Sequence, residues 1–173
     1  MAGLSEIREA RLKKLELLKS KGIDPFPSSV PRDFSLNDVK KDFENLEKSQ
    51  KEFSVVGRVM TIRGQGAILF AVLFDGTEKL QAIIKKDEMP SDLFDLFTEV
   101  IDIGDFVSVT GKALTSQRGE QSVLVSKWQI ATKTLLPLPE KWHGLQDVEE
   151  RYRKRYLDFL MDDEARDLIV KKS

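Results

Sequence analysis

The chain has no cysteine and a single histidine, His143. Disulfides and thiolate metal sites are thereby excluded, and nothing supports a histidine-built metal site. Long apolar runs are missing as well. No stretch approaches the roughly 20 residues that cross a bilayer, and the opening "MAGLSEIREARLKK" lacks the apolar core of a secretory signal. The cytoplasm is the expected compartment, with no membrane partner. Charge of one sign is also wanting, since 28 Lys and Arg stand against 29 Asp and Glu for a net −1. A polyanionic partner would then depend on where basic side chains gather, not on their total. No Gly-x-x-x-x-Gly-Lys-Ser/Thr loop occurs. The Gly-x-Gly of "RGQGAILF" is followed by strand text where a dinucleotide site needs a helix N-terminus. Gly64 and Gly66 therefore read as turn residues. His143, with no nucleophile at a recognisable spacing, reads as a hydrogen-bonding linker residue. No catalytic set emerges, and the chain is not expected to be a complete enzyme.

What is present is a change of period. Residues 4–21 read as a helix, with Leu4, Ile7, Leu15 and Leu18 on one stripe, Arg11 interrupting it, and Gly22 as a stop. Its basic residues fit either a solvated face or a polyanion-facing one. "GIDPFPSSVP" breaks the helix, and "SLNDVKKDFENLEK" restarts one with Ser35 and Asp38 at capping-box spacing. From Phe53 the chain turns to five strand-like runs, rich in Val, Ile, Phe and Thr, with one helix, "SDLFDLFTEVI", between the third and fourth. That order is the order of an OB-fold, a five-stranded Greek-key barrel; a five-stranded barrel of another topology is the alternative. The fold class is thus mainly β with flanking helices. The chain divides into an N-terminal helical extension (1–50), the barrel (51–134), and a C-terminal helical linker with the start of a further region (135–173). In the last part "LLPLPEKW" is a stiff linker and "DVEERYRKRYLDFL" a helix carrying Val148, Tyr152, Tyr156 and Phe159 on one face. "MDDEARDLIVKKS" begins another with Asp162 as N-cap. Its unfinished apolar face leads to the expectation that the chain is a piece of something longer.

The informative stretch is "AILFAVLFDGTEKLQAIIK". In its second half Lys79, Gln81 and Lys85 alternate with Leu80, Ala82 and Ile84, which places the polar set outward. The first half is apolar on both faces, which is unusual if one meets only water. A two-residue Asp75-Gly76 turn sets Phe70 opposite Gln81 on the outer face; a longer turn shifts the register by two and leaves them diagonal. An outward ring beside an outward amide, flanked by lysines, suits an unpaired base, stacked on the ring and read by the amide. The competing reading packs Phe70 beneath the N-terminal helices.

Three strings carry a resemblance: "EIREARLKKLELLKSKGIDPFP", "GRVMTIRGQGAILFAVLFDGTEKLQ" and "LLPLPEKWHGLQDVEERYRKRYLDFL". Through them the whole chain resembles the N-terminal part of bacterial-type lysyl-tRNA synthetases, class IIb aminoacyl-tRNA synthetases. The related aspartyl and asparaginyl enzymes, and general single-strand binders on the same fold, are the alternatives. The resemblance implies a barrel that binds the U-rich anticodon of lysine tRNA. Phe70 would stack on the middle uridine, with Gln81 and Glu120 bonding to it, and Arg58 and Arg63 contacting phosphate or base. It also implies an ATP- and magnesium-dependent homodimeric parent enzyme whose catalytic motifs are not in this sequence, so that this chain would hold no cofactor. The last residues would enter the first class-defining motif.

Overall fold

The computed structural model describes residues 3–139 and 148–172. They fall into two compact units, Met1–Leu136 and Pro137–Ser173.

The first unit is built around β1 (Phe53–Gln65), β2 (Ile68–Phe74), β3 (Lys79–Lys85), β4 (Phe106–Thr115) and β5 (Gln121–Thr132). They close into a barrel in the order β1-β2-β3-β5-β4. All neighbours are antiparallel except β3 and β5, which run parallel and seal the barrel. This is the OB-fold order, so the other barrel topology is set aside. Inward residues at alternate positions, among them Leu69, Ala71, Leu73, Leu80, Ala82, Ile84, Val123 and Val125, form its core. Two glycines make the sharp curvature passable. At Gly111, where the β4–β5 register shifts, a Cβ would lie 2.0 Å from the Leu124 carbonyl oxygen. At Gly64, with φ +125°, it would lie 2.3 Å from that of Ile68. Both are places where backbones approach too closely for a side chain.

Helix α1 (Leu4–Ser20) buries Leu15 and Leu18. Arg11, expected to interrupt the apolar stripe, continues it instead. Only 7% exposed, it donates to the carbonyls of Ile103, Thr134 and Leu136 at 3.0, 3.2 and 2.9 Å. Its long stem packs while its charge satisfies orphan acceptors. Leu4, at 60% exposure, does not join the face. The single helix expected after Ser35 is two, α2 (Leu36–Lys41) and α3 (Phe43–Ser49), parted at Asp42. The Ser35–Asp38 capping box forms as its spacing requires. Between β3 and β4 lies α4 (Ser91–Val100), which buries Phe94, Leu96, Phe97 and Val100.

The second unit comprises α5 (Val148–Arg153), α6 (Arg155–Met161) and α7 (Asp163–Lys172). The helix expected over "DVEERYRKRYLDFL" is broken at Lys154, with φ −114° and ψ 47°. Its expected apolar face is not buried in this unit: Val148, Tyr152 and Tyr156 are 64%, 72% and 69% exposed. The buried group is instead Asp158, which accepts from Arg151 at 2.7 Å and Arg155 at 3.0 Å. Asp162 caps α7 as expected, accepting from the Ala165 N–H at 3.1 Å. Trp142 and His143 of the linker lie outside the described residues. No described helix is long and apolar enough to cross a membrane.

Candidate nucleic-acid interface

The β2–β3 hairpin takes the longer of the two possible turns. Phe70 pairs with Ile83, Val72 with Gln81 and Phe74 with Lys79, so Phe70 and Gln81 are diagonal, still within contact range. The reason lies in Asp75. Its Oδ1 accepts from the Thr77 N–H, the Thr77 hydroxyl and the Glu78 N–H at 2.9, 2.6 and 3.2 Å. An Asx-type turn of four residues results, where the Asp-Gly pair alone favours two.

On the outer face of these strands a cleft of about 700 Å³ opens. Its floor is Ile68 and Phe70 from β2 with Gln81 and Ile83 from β3; Arg63 and Lys85 stand at its sides. Its far wall is the end of β4 and the turn into β5, with Leu114, Gln117, Arg118 and Glu120. No residue of α1 to α4 lines it, so the N-terminal helices do not cover Phe70. The ring is half-buried and lines the cleft.

Arg63 is the Cα partner of Phe70 across β1–β2 and is exposed. Parity therefore puts a cation on the same face as the ring. Gln81 differs from the simple outward expectation. It points away from the core, yet is 6% exposed because β5 flanks it. Its Nε2 donates to Ser122 Oγ at 3.0 Å. Glu120 lies in the turn before β5 and is exposed, and its carboxylate has no partner among the described residues. Its backbone N–H donates to Ser116 Oγ at 3.1 Å and its carbonyl accepts from the Ser116 N–H at 2.9 Å, which fixes the turn.

The structure does not bring Arg58 to this cleft. It lies nearer the start of β1, its guanidinium carbon 4.3 Å from the Phe106 ring centre, and Nη1 donates to the Gly104 carbonyl at 3.2 Å. Burial draws its pKa below the ordinary value. Two contributors escape a reading of the sequence alone. Arg118 and Ser122 sit in "QRGEQS", a run whose only visible signal is turn-forming composition. Among the described residues no group of acids and histidine is placed to hold a metal ion.

A ring, an amide and a carboxylate thus share one cleft with three cations on its walls. Against known families, residues 53–131 match the tRNA anti-codon model, described as an OB-fold nucleic acid binding domain. That match spans the barrel. Individual relatives extend the match to both ends of the chain. It is 42% identical to the lysine–tRNA ligase of Halalkalibacterium halodurans over 176 residues, covering 99% of this chain and 35% of that protein. Lysine–tRNA ligase 2 of Methanosarcina mazei is 36% identical over 174 residues, with 100% and 34% covered. The Thermotoga maritima lysine–tRNA ligase is 37% identical over 173 residues, with 98% and 34% covered. The chain spans about a third of the length of these curated relatives. The barrel thus matches an OB-fold nucleic acid binding domain, and along the whole chain the relatives it resembles are lysine–tRNA ligases.

Proposed function

We propose that the cleft receives one unpaired base of the lysine tRNA anticodon. The base stacks on Phe70, its Watson–Crick edge meets Gln81 and Glu120, and Arg63, Lys85 and Arg118 hold the neighbouring phosphates. The observation that carries this reading is the co-location of Phe70, Gln81 and Glu120 in one open cleft on the strand face that OB-folds use for oligonucleotides. Every base has a π-face, so stacking supplies affinity; the amide and carboxylate supply the choice of base. Arg58 has no part in it, since its guanidinium is engaged within the barrel.

The parent reaction this serves is the ATP-dependent attachment of lysine to its tRNA by a homodimeric ligase. Its magnesium, nucleotide and amino acid belong to a catalytic region that begins within residues 135–173 and continues beyond them, after the helical extension (1–50) and barrel (51–134). In that setting the anticodon contact selects the tRNA before aminoacyl transfer.

The test is binding of a lysine anticodon stem-loop, monitored by fluorescence anisotropy. Phe70→Ala is expected to weaken it by about 1–3 kcal/mol, the worth of one stacked base. Unchanged affinity would remove the ring from the site. Stem-loops with aspartate or asparagine anticodons should bind more weakly than the lysine one; equal binding of all three would mark a general single-strand binder.

A further inference from the structure

We propose that Ser122 is a positioning residue: it fixes the polarity of the Gln81 carboxamide and so sets the preference of the cleft for uracil over cytosine. The proposal rests on the reading of the cleft as a base-binding site.

A count of protons decides which way the amide faces. Gln81 Nε2 donates to Ser122 Oγ at 3.0 Å, and Ser122 Oγ donates to the Glu120 carbonyl oxygen at 2.9 Å. Ser122 is fully buried, 0% exposed, so its hydroxyl cannot turn to water for a substitute. A hydroxyl has one proton. With that proton given to the Glu120 carbonyl, Ser122 Oγ can only accept, and the group facing it must be the amide nitrogen. Turning the carboxamide over would set its oxygen against the lone pairs of Ser122. The alternative is to pull the serine proton away from the Glu120 carbonyl. Either arrangement breaks a bond in a buried place, where an unmade hydrogen bond is expensive.

The parallel pairing of β3 with β5 makes this relay, because Gln81 and Ser122 are Cα partners there. What remains of the amide toward the cleft is one N–H and the carbonyl oxygen, in a fixed order. No described residue donates to that oxygen, and Gln81 lines the cleft.

Uracil and cytosine present the same two edge positions with exchanged roles. Uracil offers a carbonyl oxygen at C4 and an N–H at N3; cytosine offers an amino group at C4 and a bare N3. An amide of one polarity pairs with the first and opposes the second, and an amide free to flip pairs with either. Ser122 thus turns an ambidextrous side chain into a one-way reader.

The experiment compares affinities of the intact chain for two anticodon stem-loops that differ only in uracil or cytosine at the middle position. For Ser122→Ala the uracil-to-cytosine ratio is expected to fall about tenfold, the scale of one buried hydrogen bond. Affinity for the uracil loop itself should change far less. Ser122→Thr, which keeps the hydroxyl, should keep the ratio. A wild-type ratio in Ser122→Ala would overturn the proposal. A second readout needs no RNA: in the free wild-type protein one Gln81 side-chain N–H proton should be protected from solvent exchange by NMR. Rapid exchange of both protons would overturn the proposal even if the alanine variant failed to fold. The two readings fail separately. Wild-type binding indifferent to Phe70→Ala and to base identity overturns base reading as a whole. A uracil preference lost in Gln81→Ala but intact in Ser122→Ala overturns the role of Ser122 alone.

Discussion

Lys133 shows what a single side chain does in this barrel. Its ammonium is fully buried and donates to the Val100 carbonyl, Asp102 and Asp105 at 2.6, 2.6 and 2.7 Å. All three of its protons are placed. Asp105 is equally buried, and Asp102 also takes Lys14 of α1 at 2.6 Å. Burial works to raise the Asp102 pKa, but the bonds from Lys133 and Lys14 outweigh it and hold it below the ordinary value. A carboxylate depressed in this way stabilises the fold above its unfolded value of about 4, and the contribution is lost as pH falls through the lower folded value. Lys133→Met leaves the buried Asp105 without a cation and Asp102 with Lys14 alone, and is expected to cost about 3–5 kcal/mol, read as a lowered thermal midpoint. The same variant should unfold at higher pH on acid titration. An unmoved acid transition, monitored by circular dichroism, would show that Asp102 owes its ionisation to other groups. None of this is legible in the sequence, where Lys133, Asp102 and Asp105 are charges of ordinary spacing and only the closed barrel brings them together.

Among the elements, the β2–β3 hairpin shows where local reading succeeds and where it stops. The strands, the inward set Leu80, Ala82 and Ile84, and the outward Phe70 all come from a period of two, a property of each strand by itself. Turn length does not, because it is decided by side-chain bonds of Asp75 that reach beyond the turn. Its Oδ2 accepts the Leu36 N–H at 2.9 Å, joining the hairpin to the start of α2. Gln81 is legible as outward but not as buried, since its cover comes from β5, distant in sequence and adjacent only through a parallel pair. Arg11 looks out of place in its helix for a similar reason: the carbonyls it satisfies, before β4 and after β5, are distant in sequence. Asp75→Ala removes acceptors from four donors in two elements. It is expected to destabilise the unit by about 1–3 kcal/mol, measured by urea unfolding. A loss within a few tenths would mean that the turn holds its length without that carboxylate.

For the molecule as a whole, near-neutrality conceals a local excess. Arg63, Lys85 and Arg118 line the cleft with Glu120 as its one acid, although the chain carries a net charge of −1. If these three cations each meet a phosphate of single-stranded RNA, log affinity should fall with log salt at a slope of about −2. A slope near zero would mean that they stand clear of the backbone. The closure of the barrel has a further bearing on how the chain comes to recognise anything. Hairpins such as β2–β3 join neighbours in the chain, whereas the β3–β5 pair, Gln81 beside Ser122, spans 41 positions. Loop-closure entropy makes such distant pairings slow. Two walls of the cleft meet only at that seam. On the proposed reading of the cleft, a newly made chain with its hairpins folded but β5 still apart from β3 would have its aromatic ring in place and no means of telling one pyrimidine from another.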